Sequence, residues 1–297
     1  MKVFLTGATG FVGREISRQL TQAGHEVRAL LRDKQLAEKV SPAEAVIGDT
    51  TDPTSLKDAL ASCDAVIHLV GIIREFPRKG ITFERLHTES TGNLLQAAKE
   101  QQVPRYLQMS ANGSRPDAVT AYHKTKWAAE QLVHGSGLDW TIFKPSLIFG
   151  PEDMFVNMLA GLIRKLPAVP VMGDGKYRLQ PVSVKDVAAG FVAALDRPKS
   201  IGQTYLCGGP EAYSYDQILD LIGAALGKKT PLCKLHHPLL LMKPVVAAMQ
   251  SIPQFPMTRD QLQMLLEENI CDPTEWANTF ELQLQSFPDG IAEYLST

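Results

Sequence analysis

The sequence predicts an α/β fold, a doubly wound parallel sheet with a smaller, mostly helical C-terminal part, and three observations carry that expectation. Short apolar runs alternate with amphipathic stretches through most of the chain. The runs are apolar on both faces instead of alternating, as strands covered by helices above and below are. A cluster of glycines, Thr6-Gly7-Ala8-Thr9-Gly10-Phe11-Val12-Gly13, falls at the first strand-to-helix junction.

Taken in order, KVFLTG reads as the first strand and REISRQLTQAG as the helix after it, closed by Gly24. HEVRALLR is the second strand. Asp52 followed by Pro53 is a cap and a first-turn proline opening a helix over TSLKDALASC. AVIHLVG, GNLLQAAKEQQ and RYLQMSA continue the strand, helix, strand rhythm, and WTIFKPSLIFG after Asp139 adds another strand. A proline- and glycine-rich region then leads to VSVKDVAAGFVAAL, an amphipathic helix. Residues 1–207 are therefore expected to form a nucleotide-binding domain, with 149–177 contributing to a substrate lobe. Residues 208–297 form a smaller C-terminal lobe with helices at SYDQILDLIGAAL and TRDQLQMLLEEN and few strand signals; His236-His237 beside Pro238 reads as loop.

The chain has 297 residues, 44% hydrophobic and 21% charged, and a net charge of -2. That charge leaves no basic excess for a nucleic-acid backbone, so nucleic acid is not an expected partner. Cys63, Cys207, Cys233 and Cys271 stand far apart and are expected as free thiols. His68, His87, His123, His236 and His237 form no spaced ligand set with carboxylates, so no metal is expected. No secretory pattern follows Met1-Lys2, which points to the cytoplasm. The apolar segment PLLLMKPVVAAM is too short to span a bilayer, and lies on a membrane or caps an apolar pocket.

The glycine turn sits where a dinucleotide fingerprint has meaning, after a strand and opening a helix. Gly7 permits the tight turn, Gly10 admits a pyrophosphate to the backbone, and Gly13 lets helix pack on strand. The helix N-terminus then meets the phosphate charge. The Gly7-x-x-Gly10-x-x-Gly13 spacing resembles that of extended and atypical short-chain dehydrogenases with a Rossmann fold. Several other motifs are similar to that superfamily: His68-Leu69-Val70-Gly71 as a strand end lining the cofactor, and Gly48-Asp49-Thr50 with its adenine-contacting Asp. Lys144 to Asp153 (KPSLIFGPED), Gln180-Pro181-Val182, Asp186-Val187-Ala188 and Pro256 to Gln261 resemble the branch containing the nucleotide-binding accessory subunit of respiratory complex I. The resemblance implies cofactor contacts from Gly7, Thr9, Gly10, Phe11, Val12, Gly13, Arg32, Asp49, Thr50, Leu69, Val70, Gly71, Tyr122, Lys126, Pro145 and Ile148.

At the end of the second strand, Leu31 stands where an NAD-binding fold places an acid, and Arg32 suits a 2′-phosphate. NADP(H) is the preferred cofactor and NAD(H) the alternative, in which Arg32 is solvated and Asp33 serves the ribose. Tyr122-x-x-x-Lys126 puts a phenol and an ammonium one helical turn apart. The ammonium is expected to lower the phenol's pKa for proton exchange with a carbonyl or alcohol, and to bind the nicotinamide ribose. Ser110, at a strand end, is placed to bond the same substrate oxygen; in the family resembled, Ser, Tyr and Lys act together. The complex I branch also contains members that bind dinucleotide without evident turnover.

Met154, Phe155, Met158, Leu240, Leu241 and Met242 form either an apolar substrate wall, suited to an isoprenoid-like or quinone-related carbonyl, or ordinary core. The readings open from sequence are an oxidoreductase, a silent nucleotide-binding subunit or assembly factor of a respiratory complex, and an NADPH redox sensor. A sugar-nucleotide epimerase or dehydratase is a further one, with Arg164, Lys165 and Arg178 pairing with a diphosphate.

Overall fold

A computed structural model of the chain describes residues 1–40, 42–250 and 257–296. Pro256 of the complex I-like motif lies outside the described residues. The chain forms two compact units, both discontinuous in sequence. The first is Met1–Pro145, Val184–Cys207 and Pro273–Gln283; the second is Ser146–Ser183, Gly208–Asp272 and Leu284–Thr297.

In chain order the elements begin β1 (Lys2–Thr6), α1 (Phe11–Gln22), β2 (Glu26–Leu31), β3 (Glu44–Ile47), α2 (Pro53–Leu56), β4 (Ala65–His68), α3 (Ser90–Glu100), β5 (Arg105–Met109), α4 (Ala121–His134) and β6 (Asp139–Pro145). They continue with β7 (Ile148–Phe149), α5 (Met154–Lys165), β8 (Val169–Met172), β9 (Arg178–Leu179), β10 (Val182–Ser183), α6 (Val184–Leu195) and β11 (Gln203–Cys207). The remainder are β12 (Tyr213–Ser214), α7 (Tyr215–Ala225), β13 (Lys234–His237), α8 (Leu239–Met249), α9 (Arg259–Leu266), α10 (Thr274–Phe280) and α11 (Phe287–Leu295).

The first unit is built on a seven-stranded sheet in the order β11-β6-β5-β4-β1-β2-β3, with every neighbouring pair parallel. Its inner strands are buried along nearly their whole length, which is why they read as unbroken apolar runs. Phe4, Leu56, Leu60, Val66, Leu94 and Tyr106 form the core on one side. The chain moves outward from β1 through β2 to β3, then returns to β4 on the other side of β1. The strand order thus reverses between β1 and β4, and in open α/β sheets ligands bind beyond the carboxyl ends of the strands at that point. The unit is completed by α10, whose Trp276 lies against Gly190 of α6 so closely that a Cβ there would sit 2.6 Å from the indole nitrogen.

The second unit has its own core of Phe149, Leu159, Val171, Ile218, Ile222 and Phe287. Its helices start where side chains cap them: Asp153 for α5, and capping boxes at Ser214 for α7 and Thr258 for α9. Short strand pairs join them, β10 with β7, β12 with β9, and β13 with β8.

Two expectations need correction. The helix over TSLKDALASC stops after Leu56: beyond it the N–H groups of Ala59, Ala61 and Cys63 donate to the carbonyls three residues back, Ser62 takes a left-handed φ of 61°, and Arg28 on β2 holds the carbonyls of Ala59 and Ala61 in that tighter run. His236 and His237 are strand, not loop: β13 pairs in parallel with β8, and Asp216 accepts from His236.

Candidate active site

The glycine turn begins at the carboxyl end of β1. Gly7 adopts φ +75°, a conformation strained for any residue with a side chain. The Gly10 N–H donates to the Gly7 carbonyl at 2.9 Å, tightening the turn. A Cβ on Gly13 would lie 2.1 Å from that same carbonyl oxygen, so α1 can pack on the turn only with glycine there. Gly10 is the N-cap of α1 and no side chain caps the helix. The N–H groups of the first turn, from Phe11 to Gly13, therefore lack the partner that a Ser or Asp would supply. Thr9 is partly exposed and Gly10 exposed beside them, while Val12 turns into the core. An uncapped helix start over a turn with glycine at Gly7, Gly10 and Gly13 fits a pyrophosphate by the chemistry of its donors.

At the end of β2, Leu31 is buried and Arg32 exposed with no ion-pair or hydrogen-bond partner among the described residues. The exposed Asp33 accepts from the Gln35 N–H through Oδ1 at 2.8 Å, at the start of a 3₁₀ turn. Asp49 accepts from both the N–H and the hydroxyl of Thr51, at 2.8 and 2.9 Å. The Ser55 hydroxyl accepts from the Asp49 N–H at 2.9 Å, and the Thr50 carbonyl accepts from the Asn93 amide, so the Gly48–Thr50 turn is tied down on two sides.

The end of β4 carries Leu69, Val70 and Gly71. Leu69 lies against Gly7, where an added Cβ would sit 3.3 Å from its own Cβ. Gly71 faces Lys126 and His87, with an added Cβ 3.0 Å from Lys126 Nζ and 3.6 Å from His87 Nε2. This contact joins the carboxyl end of β4 to α4. Tyr122 and Lys126 stand one turn apart on α4, which Thr120 caps. The Tyr122 ring is boxed by Phe83, His87 and His123, at 5.8, 5.3 and 5.2 Å between centroids. Its hydroxyl has no hydrogen-bond partner among the described residues.

Burial among these rings pushes the Tyr122 phenol up to about 12. The expectation that Lys126 lowers it is therefore corrected for this structure. Lys126 is itself buried and donates to the Met109 carbonyl at 3.1 Å. Burial brings its own pKa down to about 8, with the Glu130 carboxylate opposing the fall.

Ser110 is also corrected. Its hydroxyl donates to Glu130 Oε1 and meets the Ser114 hydroxyl at 3.1 Å. Lys144 completes this buried cluster, donating to Glu130 Oε2 at 3.1 Å and to the Ser114 carbonyl at 2.7 Å. A buried carboxylate demands donors on every side, and Ser110 is one of them. It is not joined to Tyr122.

His87 was not singled out for this chemistry in the sequence. It sits on a π-helical turn, Glu84–Glu89, leading into α3. Its Nε2 accepts from the Ile72 N–H at 3.1 Å and its Nδ1 meets the Thr125 hydroxyl at 2.9 Å. Burial first, and the Lys126 charge second, hold it neutral with a pKa of about 2. His68 is a satisfied core histidine, bonded to Thr6 Oγ1 at 2.7 Å and brought down to about 3 by burial.

Pro145, in the first unit, is buried and its carbonyl accepts from Asn112 N–H at 2.8 Å. Ile148, in the second, pairs with Val182. Of the apolar candidates of the second unit, Phe155 packs against its core and Met242 is half-buried, whereas Met154, Met158, Leu240 and Leu241 are exposed, Met154 to 77% and Leu240 to 85%.

Comparison with known proteins gives the family and the fold. The model of the NAD dependent epimerase/dehydratase family matches residues 3–208. NADH dehydrogenase (ubiquinone) 1 alpha subcomplex subunit 9, mitochondrial, of Arabidopsis thaliana is 32% identical over 225 residues, covering 73% of this chain and 56% of that protein. The chain thus spans little more than half the length of that relative. The ceramide reductase of Caulobacter vibrioides is 28% identical over 246 residues, covering 80% of this chain and 75% of that protein. The fold is that of UDP-glucuronic acid 4-epimerase from Bacillus cereus in complex with NAD, with a TM-score of 0.79 at 19% identity over 99% of this chain and 98% of that one. With residues 3–208 matched and a turn that requires glycine at Gly7 and Gly13, the chain belongs to the NAD dependent epimerase/dehydratase family, on a short-chain-dehydrogenase-type fold.

Proposed function

We propose that the chain is an NADP(H)-binding oxidoreductase acting on a small, apolar carbonyl or alcohol, with Tyr122 as proton donor and Lys126 as the supporting charge. The observation that carries this reading is a partnerless phenol one helical turn from a buried ammonium, in the same unit as an uncapped glycine turn.

When bound, the reduced dinucleotide supplies hydride; the rest falls to the chain. Backbone N–H groups from Phe11 to Gly13 hold the pyrophosphate, Asp49 and Thr50 flank the adenine, and Leu69 to Gly71 and Pro145, all of the first unit, line the remainder. Arg32 holds the 2′-phosphate, a preference supported by the buried Leu31 standing where an NAD-binding fold places an acid. A phenol at about 12 is protonated through the physiological range. That is the form needed to give its proton to a carbonyl oxygen as the carbon is reduced. The Lys126 cation then stabilises the phenolate left behind and binds the nicotinamide ribose. An apolar carbonyl is supported by a ceramide reductase among the relatives.

The test is NADPH oxidation with a panel of apolar ketones and quinones. Tyr122→Phe should keep NADPH binding and lose turnover by roughly 10²–10⁴-fold, the range of a general acid. Turnover that survives Tyr122→Phe would remove the proton-transfer role. A second reading has its own support: Ser110 is held by Glu130, away from Tyr122, and a complex I subunit is among the relatives. In that reading the chain is a silent nucleotide-binding subunit. It would bind NADPH, oxidise it with no ketone or quinone, and co-purify with other chains of a respiratory complex.

A further inference from the structure

Helix α8 breaks the rule by which surface helices show one apolar stripe and one polar face. Its sequence, LLLMKPVVAAM, is apolar all round except for Lys243, and such helices are normally buried. Here only Val246 is buried, while Leu240 and Leu241 are 85% and 64% exposed. At eleven residues it cannot cross a bilayer, and among the described residues no helix can.

Along the chain the charge of this stretch is one-sided, although Asp174, next to the Gly173 that meets Leu239, and Asp260 on the neighbouring α9 are acidic. The segment from Leu226 to Gln250 contains Lys228, Lys229, Lys234 and Lys243 and no acidic residue, in a chain whose net charge is -2. Lys234 is neutralised by Asp220 at 2.7 Å. Lys228, Lys229 and Lys243, with Lys165 at the end of α5, are exposed and have no ion-pair partner among the described residues. Lys228 and Lys229 border a cleft floored by Ile163, Pro167 and Leu232. The β8–β13 ribbon connects that cleft to the start of α8, its four-residue strands spanning about 10 Å at the usual rise. Leu235 on that ribbon is exposed as well. All of these residues belong to the second unit.

We propose that this face is a docking surface for an anionic lipid bilayer, with α8 lying in the interface and its lysines on the headgroups. Protein–protein interfaces are depleted in lysine, whereas an interfacial helix combines exposed leucines with lysines whose stems reach up to the headgroups. The free positive charge beside the leucines favours the lipid.

The experiment is flotation of the full chain with phosphatidylcholine vesicles, with and without phosphatidylglycerol. The chain should float with the mixed vesicles and not with phosphatidylcholine alone, and added salt should release it. K228Q/K229Q should weaken binding by about thirty-fold, given about 1 kcal/mol for each lysine at such a surface. L240D/L241D should abolish it, with the circular dichroism spectrum unchanged because both side chains are exposed. Equal flotation with both vesicle types, or undiminished binding of L240D/L241D, would overturn the proposal. Capture by native membranes but not by pure lipid would overturn it in favour of a protein partner.

Discussion

Gly13 leaves no room for even one methyl group, since the atom it would meet is backbone. Gly13→Ala is expected to lower stability in urea by about 1–3 kcal/mol, the cost of overpacking, and to abolish dinucleotide uptake in calorimetry. Arg32→Ala should weaken NADPH by roughly 10–100-fold, the worth of a charged hydrogen bond, and leave NADH unchanged. Equal loss for both would reduce Arg32 to a solvated charge. Because Lys126 titrates near 8, kcat/KM for carbonyl reduction should fall above about pH 8 as its proton leaves. A profile flat to pH 10 would mean that its charge is not used. The glycines were legible because their requirement is steric and local. Ser110 was misread because its destination is set by Glu130, twenty residues later on α4, whose burial no local pattern reveals. His87 was missed because a π-helical turn has no sequence period of its own, and only the fold brings it to Gly71 and Tyr122.

The parallel strands and most of the long helices were readable from period and caps, and failures fell where a distant side chain holds backbone, as Arg28 does after α2. Strand β13 escaped because two histidines and a proline mimic a loop until β8 supplies the ladder. Strand β4 and the turn before α3 also hold two neutral histidines, His68 at about 3 and His87 at about 2. Unfolded, each titrates near 6.5, so below about that pH the unfolded chain binds protons that the folded chain refuses. Stability is therefore complete above about pH 6.5 and falls as the pH drops toward the folded values. Two units below that point each histidine costs about 2–3 kcal/mol. Urea midpoints from pH 7.5 to 4.5 should show the decline, and His68→Asn should make it shallower; an identical slope would contradict this source of acid sensitivity.

The division of the chain is not where a linear reading puts it. A nucleotide domain ending at residue 207 lacks α10, which belongs to the same unit and buries Trp276 and Phe280 against α6 and the β6–β11 edge. Trp276→Ala should cost about 3–5 kcal/mol in urea unfolding. A fragment of residues 1–207 should fail to fold cooperatively, and a stable fragment would show α10 to be dispensable. Calorimetric titration of the intact chain with NADPH and NADH, alongside Gly13→Ala, probes the reading most directly. The expected result is uptake of both, tighter for NADPH, and of neither by the variant. A folded chain that takes up neither dinucleotide, or a Gly13→Ala variant that binds as the native chain does, would contradict it.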